Sequence, residues 1–213
     1  DRLMNRIFSP DNLFFRSLAR GVDLIGLSLL WVLLCIPVVT IGPATAALYH
    51  AIARVFRFHE EEGAFGLFFR SLKANLKQGV LATLILLPFA ALLGGLYWVY
   101  GAALDAELAG ASAAYVFFLI LLIIPVGLVC WLFPLLGRFE FSLPDLFLTA
   151  FRLMLAHIPT TLVLVILAVL FVSLSSWLFV LMLLTPALWA VCASWLLERA
   201  FAKHMSPSDE DGA

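Results

Sequence analysis

Ionisable side chains are rare in the apolar stretches of this sequence, so the few that occur there are the first candidates for chemistry. His50 and His157 lie near or within stretches apolar enough for a membrane, where titratable groups are often functional. A hydrogen bond across a helix contact, or a place at the interface, explains either histidine without a function. We favour that structural interpretation and keep both as candidate mid-membrane polar positions.

Other reactive groups do not form a recognisable pattern. Asp23 follows Arg20 by three residues, so it is either a proton-coupling carboxylate or, as we favour, the partner of Arg20 on one helix face. The three cysteines stand far apart and are expected to act as small hydrophobes. With no nucleophile elbow, phosphate-binding loop or zinc motif, the sequence predicts a non-enzyme without catalytic residues, cofactor or metal.

Composition places the chain in a membrane. Of its 213 residues, 64% are hydrophobic and 13% are charged, and the mean hydropathy is +1.08. Soluble domains are about 45–50% apolar and about 25% charged. Several apolar runs exceed the roughly 20 residues that cross a bilayer as a helix. We therefore expect an all-α, polytopic transmembrane bundle.

The apolar runs predict six spans, or five if the second does not cross. That second run is the least certain because it contains His50, Arg54 and Arg57. We expect residues 1–197 to form one transmembrane domain and residues 198–213 a polar cytoplasmic tail. The predicted spans are 22–39, 43–61, 79–100, 114–137 and two within 159–197, which turn at Ser173–Ser176.

Three hairpins preceded by amphipathic interfacial helices would account for these spans. The run Phe14–Leu18 recurs identically as Phe68–Leu72, and Phe151-Arg152 matches Phe69-Arg70. A true threefold repeat and a chance recurrence in a biased composition both remain open.

The basic residues set the orientation. The loops predicted outside (40–43, 101–113 and 173–176) contain none of the 13 Lys and Arg residues, so both termini are expected in the cytoplasm. On the cytoplasmic surface, basic side chains either attract anionic lipid, which we favour, or form a docking platform for another protein. These candidates are Arg16, Arg20, Arg70, Lys73, Lys77 and Arg152.

Small residues follow a predicted tight break at Thr40–Pro43. Pro43 is expected to begin a helix, and Gly42 to supply the backbone angles of the turn. Their spacing lets two helices approach closely in lipid. The candidate helix-packing face comprises Gly42, Ala44, Ala46, Ala47 and Ala51.

The amino-terminal region also imitates a signal peptide. Arginines precede the apolar run Leu24–Val39, and Ala44-Thr45-Ala46 resembles a cleavage site. We expect no cleavage, because cleavage would remove a helix that the charge pattern requires.

Two runs resemble the YesL family of bacterial membrane proteins, whose function is unknown. They are Met4–Asn12 and, more specifically, Pro37–Tyr49 (PVVTIGPATAALY). Gly26 departs from the family, where a bulkier residue is usual. The resemblance implies a cell-membrane protein whose genes accompany those for plant polysaccharide uptake, and it supplies no site residues.

The resemblance, with the missing enzyme motifs, predicts an accessory subunit of a carbohydrate ABC importer. Its expected partners are the lipid bilayer, sugar permease subunits and the ATPase, without nucleic acid. The small residues would pack against the permease, and the basic segments would face its loops or the ATPase. An independent small-solute transporter or channel is the alternative.

Overall fold

The computed structural model describes residues 13–57, 63–106, 110–177 and 184–202. These residues form seven α-helices and no strand, which confirms the all-α prediction. A 3₁₀ turn (Val38–Thr40) precedes the second helix and a π-helical segment (Ala53–Arg57) follows it. The helices are α1 (Leu13–Cys35), α2 (Ile41–Ile52), α3 (Ala64–Asp105), α4 (Ala111–Arg138), α5 (Leu143–Ala156), α6 (Ile158–Trp177) and α7 (Thr185–Ala202).

Three helical stretches within the described residues are long and apolar enough to cross a membrane. They are Val38–Phe56, α3 and α4. The pair α5–α6, bent by 101° at His157, makes a fourth if it counts as one broken span. The structure therefore supports a membrane protein with three to four candidate spans, and the count of six stays a prediction.

Helix α2 is enclosed by the rest of the chain. Nine of its twelve residues are buried. At its first turn the backbones nearly touch, since a Cβ added at Gly79 of α3 would lie 2.8 Å from the Pro43 backbone. On the next turn, a Cβ at Gly137 of α4 would lie 2.5 Å from the Ala46 carbonyl oxygen. Glycines on α3 and α4 thus let α2 lie in the middle of the bundle.

Side-chain hydrogen bonds join the helices around α2. Trp31 Nε1 of α1 donates to Thr45 Oγ1 of α2 at 3.1 Å. The Ala187 backbone N–H of α7 donates to Ser28 Oγ of α1 at 3.2 Å. Because each bond joins two helices, α7 is held together with α1 and α2, which we call the first hairpin.

The first hairpin packs along only the first half of α3. Its tip meets Gly79 and Thr83, whereas its other end shares a core with Leu67 and Phe68. We call this packed part the base; it consists of α1, α2, α5, α7, residues 64–83 of α3 and residues 125–138 of α4. Helix α3 is about 63 Å long and continues about 33 Å past Thr83.

The remaining parts of α3 and α4 form what we call the distal hairpin, residues 84–105 and 111–124. Of its α3 residues, Leu86 and Leu93 alone are buried among those described. Aromatic rings join the two helices, with Tyr97 and Tyr115 centroids 4.8 Å apart. Most of its apolar surface is exposed, which suits lipid contact.

The start of α2 differs from the prediction. The helix begins at Ile41, and the chain bends earlier, where Thr40 Oγ1 donates to the Pro37 carbonyl oxygen at 2.6 Å. Gly42 is not needed for its backbone angles, because Gly110 is the one described glycine with positive φ. Gly42 is instead needed for space: a Cβ there would lie 2.5 Å from the Phe133 ring.

Two other predicted turns differ from the structure. Helix α6 runs through Ser173–Ser176 to Trp177, so the predicted turn there is wrong. Serine does not stop a helix, because its hydroxyl can bond a carbonyl of the preceding turn. The connection to α7 falls after Trp177, largely outside the described residues. The predicted loop 101–113 is shortened because α3 continues to Asp105 and α4 begins at Ala111.

The tips of the first and distal hairpins lie at different levels. The prediction placed 40–43 and 101–113 at one membrane face. Along α3, the contact of the first tip at Thr83 is about 33 Å from the end at Asp105. The two tips therefore lie at positions on α3 that are separated along the helix by about the thickness of a bilayer's hydrocarbon core.

Candidate functional site

A buried ion pair at the end of α7 forms the centre of the candidate site. Glu198 is 3% exposed and its two carboxylate oxygens contact different helices. Arg138, the last residue of α4, donates from Nη1 to Glu198 Oε2. Tyr49 of α2 donates its hydroxyl to Glu198 Oε1 at 2.9 Å. One carboxylate therefore joins α2, α4 and α7.

His50 reinforces the same junction. Its Nδ1 atom is 2.6 Å from the Gly137 carbonyl oxygen. Because a carbonyl oxygen only accepts, Nδ1 carries the proton in this contact. His50 thus holds α2 against the last turn of α4, next to the ion pair.

A small cavity of about 10 Å³ opens between these groups. It is lined by Tyr49, His50, Ala53, Arg54, Arg138 and Glu198. That volume accommodates about one water molecule. Arg54 belongs to the π-helical segment, and such segments are frequent at functional sites.

The contacts in this cluster join helices to one another. Removing one partner of a buried ion pair leaves a buried charge uncompensated, at a cost of about 3–5 kcal/mol. Since Glu198 contacts two helices at once, its loss would loosen α7 from both.

The predicted packing face is internal to the chain. Ala44, Ala46, Ala47 and Ala51 are all 0% exposed, and Gly42 is buried as well. They pack as close helix contacts, but against α1, α3, α4 and α7 of this protein. The expected contact with a permease through these residues is therefore not available in this fold.

The predicted basic residues remain at the surface where they are described. Arg70, Lys73, Lys77 and Arg152 are exposed. Arg20 is also exposed, and its guanidinium carbon lies 6.0 Å from the centre of the Phe56 ring. Arg16 lies on α1, but its side chain is outside the described part of the structure.

His157 has a structural place at the bend between α5 and α6. Its ring stacks on Trp131 with centroids 5.9 Å apart. Trp131 Nε1 donates to Thr161 Oγ1 at 3.0 Å, and the Thr161 hydroxyl lies 3.0 Å from the His157 carbonyl oxygen. His50 and His157 thus have contacts on different helices, and the structure does not gather them into one site.

The two central residues of the site, Arg138 and Glu198, were not among the candidates predicted from the sequence. Glu198 was assigned to a solvated tail, but α7 continues to Ala202 and buries Phe201 as well, so the helical domain extends past Leu197. Arg138 and Glu198 each end an apolar run, with opposite charges. That pairing of signs is the signal that could have indicated an ion pair between helix ends.

Comparison with known families gives a match in the first half of the chain. Residues 24–97 match the family described as protein of unknown function, DUF624. This is the family of YesL-like proteins, so the predicted resemblance is supported over about a third of the chain. No curated protein and no solved structure matches. The match includes α2 and Tyr49, and ends before Arg138 and Glu198.

Proposed function

We propose that this protein is an accessory membrane subunit of a carbohydrate ABC uptake system. The observation that carries the proposal is the enclosure of α2. The family match over residues 24–97 includes α2, and α2 is buried in the centre of the base, so this part of the matched region acts as a scaffold. Functional contacts would then belong to the outer surfaces, where basic side chains are exposed.

The family resemblance supplies the kind of partner. YesL-like genes accompany genes for plant polysaccharide uptake, and sugar permease subunits with their ATPase are therefore the proposed partners. The cytoplasmic location of both termini and the bacterial cell membrane belong to this proposal, as does the six-span count.

Affinity purification from native membranes in mild detergent tests the role. We expect a sugar permease and an ATPase in stoichiometric amounts with the tagged protein. A homomeric species without transport components would contradict the proposal. Ala47→Leu is not a useful contact variant, because Ala47 is 0% exposed and its substitution would disturb the fold.

An independent small-solute transporter is the second candidate. The buried pair Arg138–Glu198 favours it, because charged groups in membrane proteins often mark ion or solute pathways. Reconstituted protein would then move a solute into liposomes, and the Glu198→Gln variant would lose that flux in preparations whose folding is checked by detergent chromatography. Absence of flux for the wild-type protein would exclude this candidate for the solutes offered.

A further inference from the structure

One exposed side of α3 changes from cationic to apolar within about one helical turn. Arg70, Lys73 and Lys77 are exposed, and Leu81 and Leu84 follow them with 39% and 47% of their surfaces exposed. Because successive positions in this series are three or four residues apart, the five side chains lie on the same side of the helix. The exposed surface therefore passes from three cations to leucine about 6 Å beyond Lys77.

The three cations, which we call the basic strip, have no acidic side chain beside them on this part of α3. Residues 63–104 contain no aspartate or glutamate, and residues 78–104 contain no charged residue of either sign. Charged side chains are costly at the depth of the hydrocarbon core. The uncharged run therefore fits the core, and the basic strip fits its edge, where lipids carry their phosphate groups.

The surface around the basic strip is compatible with lipid. Phe69 and Leu76 lie next to the strip around the helix and are 51% and 44% exposed. At a membrane interface, an amphipathic helix places such apolar side chains among the acyl chains and its basic side chains among the headgroups. Long lysine and arginine side chains also extend along apolar surface to reach the headgroups, so the exposed apolar residues of α1 can contact lipid as well.

The order of charge along the helix favours lipid over a protein partner, the two occupants that the sequence left open. An anionic phospholipid carries its negative phosphate at the end of its acyl chains. This side of α3 has the complementary order, with cations at one level and leucines at the next. An acidic segment of a soluble protein would match the cations but would leave Leu81 and Leu84 uncovered.

We propose that the basic strip binds the headgroup phosphates of anionic phospholipids, whose acyl chains lie along Leu81 and Leu84. Basic side chains at a membrane surface are attracted to lipids with a net negative charge. A zwitterionic lipid carries a positive group that offsets its phosphate, so it binds the strip more weakly. This lipid contact does not depend on the identity of any transport partner.

Fluorescence quenching by brominated phospholipids tests the proposal, because it measures which lipid lies beside a labelled position. In a background with Cys35, Cys130 and Cys192 replaced by alanine, Leu81→Cys carries a bimane label. The protein is reconstituted into phosphatidylcholine vesicles that contain either dibrominated phosphatidylglycerol or dibrominated phosphatidylcholine. We expect the anionic lipid to be preferred at position 81 by about ten-fold.

Charge variants assign the preference to the basic strip. The triple variant Arg70→Gln, Lys73→Gln and Lys77→Gln should lose the ten-fold preference, because it removes the three cations. Lys73→Arg with Lys77→Arg keeps the charge and should keep the preference. Arg152→Gln, which removes an exposed cation on α5, is the matched control and should leave the preference unchanged. Detergent chromatography checks that each variant is folded.

Three outcomes would overturn the proposal. Equal quenching by the two brominated lipids at position 81 is the result expected if a protein occupies the strip, since the vesicles contain no other protein. A preference that survives in the triple variant would mean that other groups select the lipid. An equal preference at Leu104→Cys, which lies beside Asp105 at the far end of α3, would show that the selection is not local. Each result is separate from co-purification with a permease, which tests the proposed function.

Discussion

The base and the distal hairpin are made of similar apolar helices but are stabilised differently. In the base, glycine contacts, an ion pair and hydrogen bonds between helices fix the positions of α2 and α7. In the distal hairpin, two helices contact each other mainly through aromatic rings, and most other side chains face outward. The same composition therefore serves tight packing in one half and lipid exposure in the other.

The comparison shows why apolar content alone is a poor guide to burial in this protein. Lipid is as apolar as a leucine side chain, so burial gains little free energy between helices in a membrane. Helices stay together there through close packing and polar contacts. The base has both, and substitutions should affect it far more than the distal hairpin.

The largest loss of stability is expected for a substitution at the crossing of α2 and α3. In Gly79→Leu the new side chain would meet the Pro43 backbone, which cannot move aside without moving α2. We expect a loss of more than about 3 kcal/mol, seen as little folded protein in detergent chromatography and a low melting temperature.

Gly94→Leu is the matched control for that substitution. A Cβ at Gly94, on the distal hairpin, meets nothing within 4 Å, and leucine favours a helix over glycine by up to about 1 kcal/mol. An equal loss of stability in both variants would show that the distal hairpin is packed as tightly as the base.

The next effect concerns the ion pair at the end of α7. Glu198→Ala should lower the free energy of unfolding by about 3–5 kcal/mol, because Arg138 would be left without its buried carboxylate. Thermal unfolding in detergent measures the change. The double variant with Arg138→Ala should recover part of the loss, and strictly additive losses would exclude the ion pair as the cause.

The smallest expected losses of stability come from removing either of two tyrosine hydroxyls, one in the base and one in the distal hairpin. Tyr49→Phe removes a buried hydrogen bond to a carboxylate, for an expected cost of about 1.5–3 kcal/mol. Tyr97→Phe removes a half-buried contact with the Tyr115 hydroxyl in the distal hairpin, for about 0.5–1.5 kcal/mol. A larger loss of stability for Tyr97→Phe than for Tyr49→Phe in the same unfolding assay would contradict the conclusion that the base is packed more tightly than the distal hairpin.

Much of the architecture followed from the sequence. Apolar runs without strand periodicity predicted helices, and the span predicted at 79–100 lies within α3 (Ala64–Asp105). The small residues from Gly42 to Ala51 predicted a close helix contact. These features depend on local composition and spacing, which the sequence displays directly.

The tertiary structure decided what those features contact. The sequence could not show that Gly79 and Gly137 lie opposite α2, because residues far apart in the chain provide the complementary surfaces. It could not show that Glu198 is buried, since one carboxylate after an apolar run looks the same in a tail and in an ion pair. The separation of the two hairpin tips along α3 also depends on packing, because the length of a helix does not determine where it lies relative to its neighbours. By itself the sequence determined the helices, and only their packing determined which face each helix buries.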